Sequence, residues 1–283
     1  NKIEYYIDSF NTNLLSFVED FLKDYFKNIK LKALYKRKGE PSKLINKNIL
    51  NNGLDFVIFN NFIGRTIAIT NPKELKERDL GRPEVDHVKV ISIRLAKILV
   101  NLSKVKKNEI LLDPFCGSGT ISQEALLKGI NVIGTDSDSE SIKQANNNLN
   151  WLVKKYNITN KFELKQLDCR KLANNLKNVD GVVTEPYMGP YIRKLPNIEE
   201  AKKLVLELSR LYNDLLSNLK NIVKKNGMVV IVIPIFKTRE NKNVFLDFRS
   251  IIDRNGFVLV TKPITYGYRE NKLLREIYIL EKE

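Results

Sequence analysis

Acidic residues and glycines cluster where predicted strands end, and they could together hold a cationic ligand. The first such strand ends in an acidic residue and continues into a glycine-rich turn: Asp113, Pro114, Phe115, Cys116, Gly117, Ser118, Gly119 and Thr120. Glycine lets the backbone pass close to a ligand, and the helix that follows presents free N–H groups. The stretch predicts a ligand-binding turn, and the alternative is a tight turn that binds nothing.

Asp136 ends the second strand, 19 residues after Gly117, where a dinucleotide-binding protein places the acid that binds its ribose. Two features count against a dinucleotide oxidoreductase. Ser122 replaces the third glycine of that motif, and Asp113 would sit awkwardly beside a pyrophosphate. S-adenosylmethionine accounts for both features, because its sulfonium and amino group are cationic and it has no pyrophosphate.

In an S-adenosylmethionine site, Asp136 accepts hydrogen bonds from the ribose hydroxyls and Asp168, after the third strand, accepts one from the adenine amine. Their neighbours Ser137 and Cys169 join the predicted cofactor-binding residues. Each acid has a structural alternative as the N-cap of the following helix. Acids at three successive strand ends nevertheless favour a cofactor.

The fourth strand ends in Glu185-Pro186-Tyr187-Met188, and here the chain resembles the amino-methyltransferases with an Asp/Asn-Pro-Pro-Tyr/Phe motif. It is more closely similar to the THUMP-associated tRNA guanine-N2 methyltransferases. The stretches that carry this resemblance are Asp-Pro-Phe-Cys-Gly-Ser-Gly from Asp113, Arg-Asp-Leu-Gly-Arg-Pro from Arg78 and Asn-Leu-Asn-Trp from Asn148.

The resemblance implies an enzyme that uses S-adenosyl-L-methionine to methylate an exocyclic base amine, guanine N2 in tRNA. It makes Glu185, Pro186 and Tyr187 the catalytic residues: Glu185 and the Pro186 carbonyl accept the amine protons, and the ring of Tyr187 or Tyr191 stacks on a base turned into the pocket. The motif departs from the family, because Glu185 replaces Asp/Asn, Tyr187 the second proline and Met188 the aromatic residue.

Two alternatives remain open: methylation of a DNA or ribosomal base amine, and an RNA-binding protein that keeps the fold without activity. A small activating partner subunit is also left open. Predicted nucleic-acid contacts are Arg78, Arg82, Tyr191, Arg193 and Lys194. Each charge has a structural alternative, since loop charges are often simply solvated and an arginine in a turn can pair with Asp79 or Asp86.

A regular alternation of strands and helices from about Val88 must position these residues. It predicts an α/β fold, a mostly parallel seven-stranded sheet with helices on both faces and an antiparallel pair at its end. With the resemblance, this indicates a Rossmann-like class I methyltransferase domain over 87–283.

Residues 1–86 predict a small α+β N-terminal domain for RNA recognition or as a cap, shorter than a full THUMP arrangement. It contains a polar helix at Ser42 to Leu50 and a hairpin of Asp55 to Asn60 with Arg65 to Thr70. A turn-rich linker follows at 71–83.

The composition excludes several classes. One histidine and two cysteines leave no zinc site or histidine-based triad, so we expect no metal, and no apolar run reaches membrane-span length. The few cysteines and the lack of a signal peptide predict a cytoplasmic protein.

The formal charge of +15 is compatible with a nucleic-acid partner. Residues 87–283 hold 33 Lys+Arg against 21 Asp+Glu, and residues 1–86 hold 15 against 12. We therefore expect RNA to contact the face around the cofactor pocket.

Overall fold

The structure is a computed structural model that describes residues 2–36, 53–69, 71–84, 91–267 and 273–283. It divides into two compact units, Asn1–Lys76 and Glu77–Glu283. The predicted boundary, between residues 86 and 87, lies ten residues further along the chain and outside the described residues, as does the predicted helix at 42–50. The division into domains 1–86 and 87–283 stays a prediction.

Over its described residues, the first unit contains a four-stranded sheet and a helix. Its elements are β1 (Lys2–Phe10), α1 (Leu15–Asn28), β2 (Lys32–Tyr35), β3 (Gly53–Phe59) and β4 (Phe62–Arg65), in the sheet order β2-β1-β3-β4. β1 runs parallel to β2 and β3, and β4 is antiparallel to β3. α1 has one apolar face, whose Val18, Leu22 and Phe26 pack with Tyr5 and Ile58 in a small core.

The hairpin has a tighter turn than predicted. β3 ends at Phe59 and β4 begins at Phe62, so the turn is two residues long and the predicted strand from Arg65 to Thr70 is wrong. Asn60 adopts a left-handed conformation with φ 51°, which asparagine tolerates better than most residues. The Asn60-Asn61 pair was the turn signal that the sequence offered.

The second unit is built around a nine-stranded sheet. Its strands are β5 (Ile110–Asp113), β6 (Asn131–Asp136), β7 (Phe162–Gln166), β8 (Val179–Thr184), β9 (Val223–Lys237), β10 (Asn243–Val244), β11 (Phe257–Leu259), β12 (Ile264–Tyr266) and β13 (Leu273–Lys282). The main path is β11-β13-β9-β8-β5-β6-β7, while β10 pairs with β9 and β12 with β13. Strands β7, β6, β5, β8 and β9 are parallel, and β13 is antiparallel.

Helices connect the strands. They are α3 (Ile93–Leu102), α4 (Thr120–Leu127), α5 (Ser139–Tyr156), α6 (Leu172–Asn175), α7 (Ile198–Ile222) and α8 (Phe248–Arg254), preceded by α2 (Pro72–Gly81). Neighbouring strand residues such as Leu111 and Leu112 enter different hydrophobic clusters, because successive side chains point to opposite faces of a sheet. The sheet is therefore covered on both faces, as predicted.

α2 corrects the prediction of a linker at 71–83. Pro72 stands at its first position, where the missing N–H costs no hydrogen bond. Its sequence is strongly polar and lacks an apolar periodicity, which is why the stretch resembles a loop. Only Leu75 among its apolar residues is buried.

The order of the strands creates a crevice. From β5 the chain moves outward to β6 and β7, and then returns to place β8 on the other side of β5. Ligands of open parallel sheets bind beyond the carboxyl ends of the strands at such a switch point. The residues that follow β5 and β8 are therefore brought together, although some 70 residues separate them in the chain.

Candidate active site

The crevice at the carboxyl ends of β5 and β8 brings together the two acids that the sequence singled out most strongly. Asp113 and Glu185 line one pocket with Phe115, Gly117 and Ser118. Cys116, Thr120, Ile121 and Ile91 complete its wall. The predicted turn and the predicted catalytic motif thus share one pocket.

The turn after β5 uses both of its glycines in a left-handed backbone conformation, with φ 49° at Gly117 and 87° at Gly119. A Cβ on Gly119 would come within 3.4 Å of Ala145, so this glycine also allows close packing on α5. At Gly117 nothing lies within 4 Å of such a Cβ. The space beside Gly117 is therefore open to a ligand.

Asp113 is almost completely buried, and its Oδ1 accepts a hydrogen bond from the Phe115 N–H at 3.3 Å. Its Oδ2 is buried and makes no hydrogen bond of standard geometry with a described residue, although the Thr184 side chain is close enough to lower the pKa of the carboxyl. Burial, with smaller contributions from the charges of Asp136 and Glu185, raises the pKa of this carboxyl to about 8. A cationic group placed beside Oδ2 would relieve both problems.

Asp136 holds the turn and faces the same region. Its Oδ2 accepts from the Gly117 N–H at 3.0 Å, and its Oδ1 accepts from the Asp138 N–H at 3.0 Å. Each carboxylate oxygen keeps a further lone pair with which it can accept from a ribose hydroxyl. Ser137, its predicted partner in binding the cofactor, is exposed at the start of the loop to α5.

Asp168 follows β7 and binds Arg170 closely. Its Oδ1 accepts from the Arg170 backbone N–H and Nε, both at 2.9 Å, and these bonds lower the pKa of Asp168 to about 2. The carboxylate stays ionised and can accept from an adenine amine. Cys169 departs from the prediction, because its side chain is buried in the hydrophobic cluster on one face of the sheet and points away from solvent.

These features fit S-adenosylmethionine. The buried Oδ2 of Asp113 suits the cationic amino-acid portion, the open space beside Gly117 admits the ligand, and Asp136 and Asp168 lie at successive strand ends toward β7. The structure thus offers an acceptor for the amino group, the ribose hydroxyls and the adenine amine of the cofactor.

The loop after β8 fixes the Glu185-Pro186-Tyr187 stretch through two long-range contacts. Glu185 Oε1 accepts from Arg275 Nε at 2.8 Å. The Tyr187 carbonyl accepts from the Tyr212 hydroxyl at 2.8 Å, and Tyr212 is fully buried on α7. The Tyr187 ring itself is 55% exposed, which leaves it accessible for stacking on a base.

The remaining loop candidates lie at the surface. Tyr191 is 76% exposed, and Arg193 and Lys194 are exposed as well. All three belong to the segment between β8 and α7, which begins at the crevice. Their predicted contacts with nucleic acid stay a proposal.

Arg78 and Arg82 are corrected, because both are buried inside the second unit. Arg78 donates to Glu124 Oε1 at 3.1 Å, and Arg82 donates to the Thr120 hydroxyl at 2.8 Å and to Asp79 at 3.3 Å. Their exposures of 7% and 4% leave no surface for a phosphate. The pairing of Arg82 with Asp79 is the structural alternative given above.

The two arginines instead support the glycine turn from behind. Thr120 and Glu124 belong to α4, the helix that begins directly after Gly119. Asn148 extends this support, since its side chain donates to the carbonyls of Glu84 and Ser118 and accepts from the Glu84 N–H. Gly81 leaves room for Trp151, whose ring lies 3.4 Å from where a Cβ would be. The Arg78 and Asn148 stretches of the family resemblance therefore contact each other.

A family model described as RMKL-like, methyltransferase domain, matches residues 82–246, which is more than half of the chain. The chain belongs to this methyltransferase family. A second model, described as DNA methylase, matches residues 12–147.

Two curated relatives are named for a tRNA substrate. A probable tRNA (guanine(10)-N2)-dimethyltransferase of Methanothermococcus thermolithotrophicus is 34% identical over 143 residues, which cover 48% of this chain and 77% of the relative. A tRNA (guanine(10)-N2)-dimethyltransferase of Methanocaldococcus jannaschii is 32% identical over 181 residues, covering 60% of this chain but 46% of the relative. The chain thus spans less than half the length of the second.

Solved structures share the methyltransferase fold. The crystal structure of TrmN from Thermus thermophilus superposes with a TM-score of 0.52 at 16% identity, covering all of this chain and 71% of that one. A precorrin-6y C5,15-methyltransferase from Geobacter metallireducens superposes with a TM-score of 0.50 at 11% identity, covering 72% of this chain and 96% of that one. These likenesses confirm the predicted Rossmann-like class I fold.

One residue that contacts the candidate site was not indicated by any sequence pattern. Arg275, on β13, binds Glu185, and Tyr266 lies opposite Arg275 on β12. Both lie beyond the residues that match the family model. A lone arginine in a strand carries no signal of its own, because its contact with Glu185 bridges 90 residues of sequence.

The described residues contain no cluster of His, Cys, Asp and Glu that could hold a metal ion. Within the same ranges, no helix is both long and apolar enough to cross a membrane.

Proposed function

We propose that this methyltransferase transfers a methyl group from S-adenosylmethionine to the N2 amine of a guanine in tRNA. The observation that carries the proposal is the meeting of Asp113 and Glu185 in one pocket at the switch point. Asp113 suits the cationic cofactor. Glu185 suits the substrate amine, which loses its hydrogen bonds to water when it enters the pocket. A substrate amine can therefore lie between the cofactor and Glu185.

The chemistry assigned to the chain is positioning. When bound, S-adenosylmethionine supplies an electrophilic methyl group. Glu185 and the Pro186 carbonyl accept the two N–H groups of the amine, which turns its lone pair out of the base plane. Tyr212 holds the loop by its bond to the Tyr187 carbonyl, so the acceptors are fixed before the substrate arrives.

The names of the relatives support tRNA as the substrate. The charge of +15 supports a phosphate-rich partner, and the exposed Tyr187 and Tyr191 offer rings for a base turned into the pocket. Cys116 and Cys169 are free thiols, which supports a reducing compartment and hence the cytoplasm.

The proposal is tested with purified protein, methyl-labelled S-adenosylmethionine and unmodified tRNA, followed by digestion to nucleosides. Label in N2-methylguanosine or N2,N2-dimethylguanosine supports it. The proposal is contradicted if the protein binds the cofactor but puts no label on tRNA, even after total cell extract is added as a source of partner subunits.

Glu185→Gln gives the matching prediction at the active site. An amide offers one acceptor oxygen where the carboxylate offers two, so we expect kcat to fall about 100-fold or more. Cofactor affinity should change little in calorimetry. Glu163→Gln is the control, because Glu163 is an exposed acid on β7 that pairs with Lys165.

A DNA base amine is the second candidate, favoured by the DNA methylase model over residues 12–147. The same digestion separates the two, because adenine and cytosine amines give different methylated nucleosides. Label in N6-methyladenosine or N4-methylcytidine, or in their deoxy forms, would show that the target is an adenine or cytosine amine and not guanine N2.

A further inference from the structure

Glu185, which lines the pocket, forms an ion pair with Arg275. Their Oε1 and Nε atoms are 2.8 Å apart, and the side chains are 15% and 33% exposed. The pair is thus partly shielded from water while one side of the arginine remains accessible. An ion pair in such surroundings is stronger than one at the open surface.

The register of the sheet explains how Arg275 reaches Glu185. Thr184, the last residue of β8, lies opposite Ile231 of β9, whereas Arg275 of β13 lies opposite Pro234. Pro234 is three residues further along β9, so Arg275 stands beyond the carboxyl end of β8, where Glu185 begins the loop. Of the side-chain nitrogens of Arg275, only Nε has a hydrogen-bond partner among the described residues. No residue that the structure describes therefore accepts from its terminal NH2 groups, which can donate to a ligand.

We propose that the Glu185–Arg275 pair selects guanine by reading the edge that carries the target amine. This inference rests on the proposed function. The edge of guanine presents the N2 amine and N1–H as donors and O6 as an acceptor. The two oxygens of Glu185 accept from N2 and N1, and a terminal NH2 of Arg275 donates to O6.

The same pair rejects the other bases with exocyclic amines. Adenine and cytosine carry a ring nitrogen acceptor beside their amine, where guanine carries N1–H. That lone pair would face a Glu185 oxygen, and both acceptors would lose their partners in a shielded site. Sites built to hydrogen-bond a substrate group discriminate strongly against analogues that lack it.

The pair also accounts for the departure at position 185. An Asp or Asn carries its polar group one methylene closer to the backbone, which suits one hydrogen bond to an amine. The longer Glu185 reaches Arg275 and still spans two neighbouring donors of a base. The replacement thus has a physical role in this chain.

The test combines two variants with two substrates. Nucleoside mass spectrometry first locates the guanine that the wild-type protein methylates, and tRNA is then prepared with guanine or 2-aminopurine at that position. The analogue 2-aminopurine keeps the 2-amine but has neither the oxygen at C6 nor the N1–H, so wild-type kcat/KM should already be lower on it, and each variant is judged by its fold-change relative to wild type on the same substrate. kcat/KM is measured on both for wild type, Arg275→Ala and Arg275→Lys, with Arg249→Ala as a control that removes an exposed arginine from α8.

We expect Arg275→Ala to lower kcat/KM on guanine about ten- to 100-fold, but to change it less than about threefold on 2-aminopurine. Arg275→Lys should recover part of the loss on guanine, because lysine still offers a donor. Arg249→Ala should match wild type on both substrates.

Equal losses on guanine and 2-aminopurine would overturn the inference, since they would mean that Arg275 only orients Glu185. The proposed function would survive that result, because the wild-type protein would still methylate guanine N2. If the wild-type protein methylates no guanine, both the proposed function and this inference are wrong. Thermal unfolding of each variant ensures that the comparison is made on folded protein.

Discussion

Asp113 is proposed to bind the cofactor, and its burial makes the free energy of unfolding depend on pH. The native protein keeps this carboxyl buried with a pKa of about 8, whereas an unfolded chain gives it a pKa near 3.8. Because the native pKa is the higher one, the unfolded state loses its proton first as the pH rises. The contribution of Asp113 to stability is therefore lost progressively from about pH 4 to about pH 8.

Asp113→Asn mimics the neutral carboxyl and should remove this loss. We expect the variant to exceed wild type in free energy of unfolding at pH 8 by on the order of 2 to 5 kcal/mol, and by much less at pH 4. Urea unfolding at both pH values measures the difference. Asp253→Asn, which changes an exposed acid on α8, serves as the control.

The same substitution should weaken the binding of S-adenosylmethionine at least about tenfold in calorimetry, because the buried Oδ2 is replaced or turned away. A difference in stability that stays constant between pH 4 and pH 8 would contradict the role of Asp113 as a buried, protonated acid.

At the scale of elements, the sequence predicted most of the second unit. Alternating strands and helices, with acids and glycines between them, fixed the order of elements and the place of Asp113, Asp136 and Glu185. Local rules are sufficient there, because each strand end is marked by its own residues. They failed for α2, because it buries one leucine, Leu75, and an arginine, Arg78, and so shows no apolar periodicity.

The sequence patterns also did not predict contacts between residues that are distant in the chain. Arg78 binds Glu124, 46 residues further along the chain, and Arg275 binds Glu185, 90 residues before it. Neither pair produces a periodic pattern in the sequence. An arginine that is buried in the fold has the same sequence signature as one in a solvated turn.

The pair of Arg78 and Glu124 gives a prediction for α2. Both side chains are nearly buried, at 9% and 4% exposure, and burial raises the pKa of Glu124 while Arg78 opposes that rise. Arg78→Met leaves the Glu124 charge without its partner, so we expect a loss of about 3 to 5 kcal/mol in the free energy of unfolding.

Replacing both residues, Arg78→Met with Glu124→Leu, should recover most of that loss, because no buried charge remains. Urea unfolding measures all three proteins. Arg249→Met is the matched control, since its pair with Asp253 is more than half exposed and should cost under about 1 kcal/mol. If Arg78→Met lowers the free energy of unfolding no more than Arg249→Met does, α2 does not stabilise the glycine turn through this pair.

At the scale of the whole molecule, the positive charge is spread over both compact units. Asn1–Lys76 holds 13 Lys+Arg against 8 Asp+Glu, a net charge of +5, and Glu77–Glu283 holds 35 against 25, a net charge of +10. The larger unit carries most of the charge together with the pocket. Attraction of phosphates to the methyltransferase domain should therefore contribute much of the affinity for tRNA.

This division predicts how tRNA binding responds to salt. Affinity measured by fluorescence anisotropy should fall at least about tenfold between 50 and 200 mM salt, because bound phosphates release counterions. Lys194→Ala, in the loop beyond β8, should make the slope of log K against log salt shallower by about one. Lys161 precedes β7 at the amino ends of the strands, the edge opposite the crevice, so Lys161→Ala should leave the slope unchanged. Equal slopes for all three proteins would place the RNA elsewhere on the molecule.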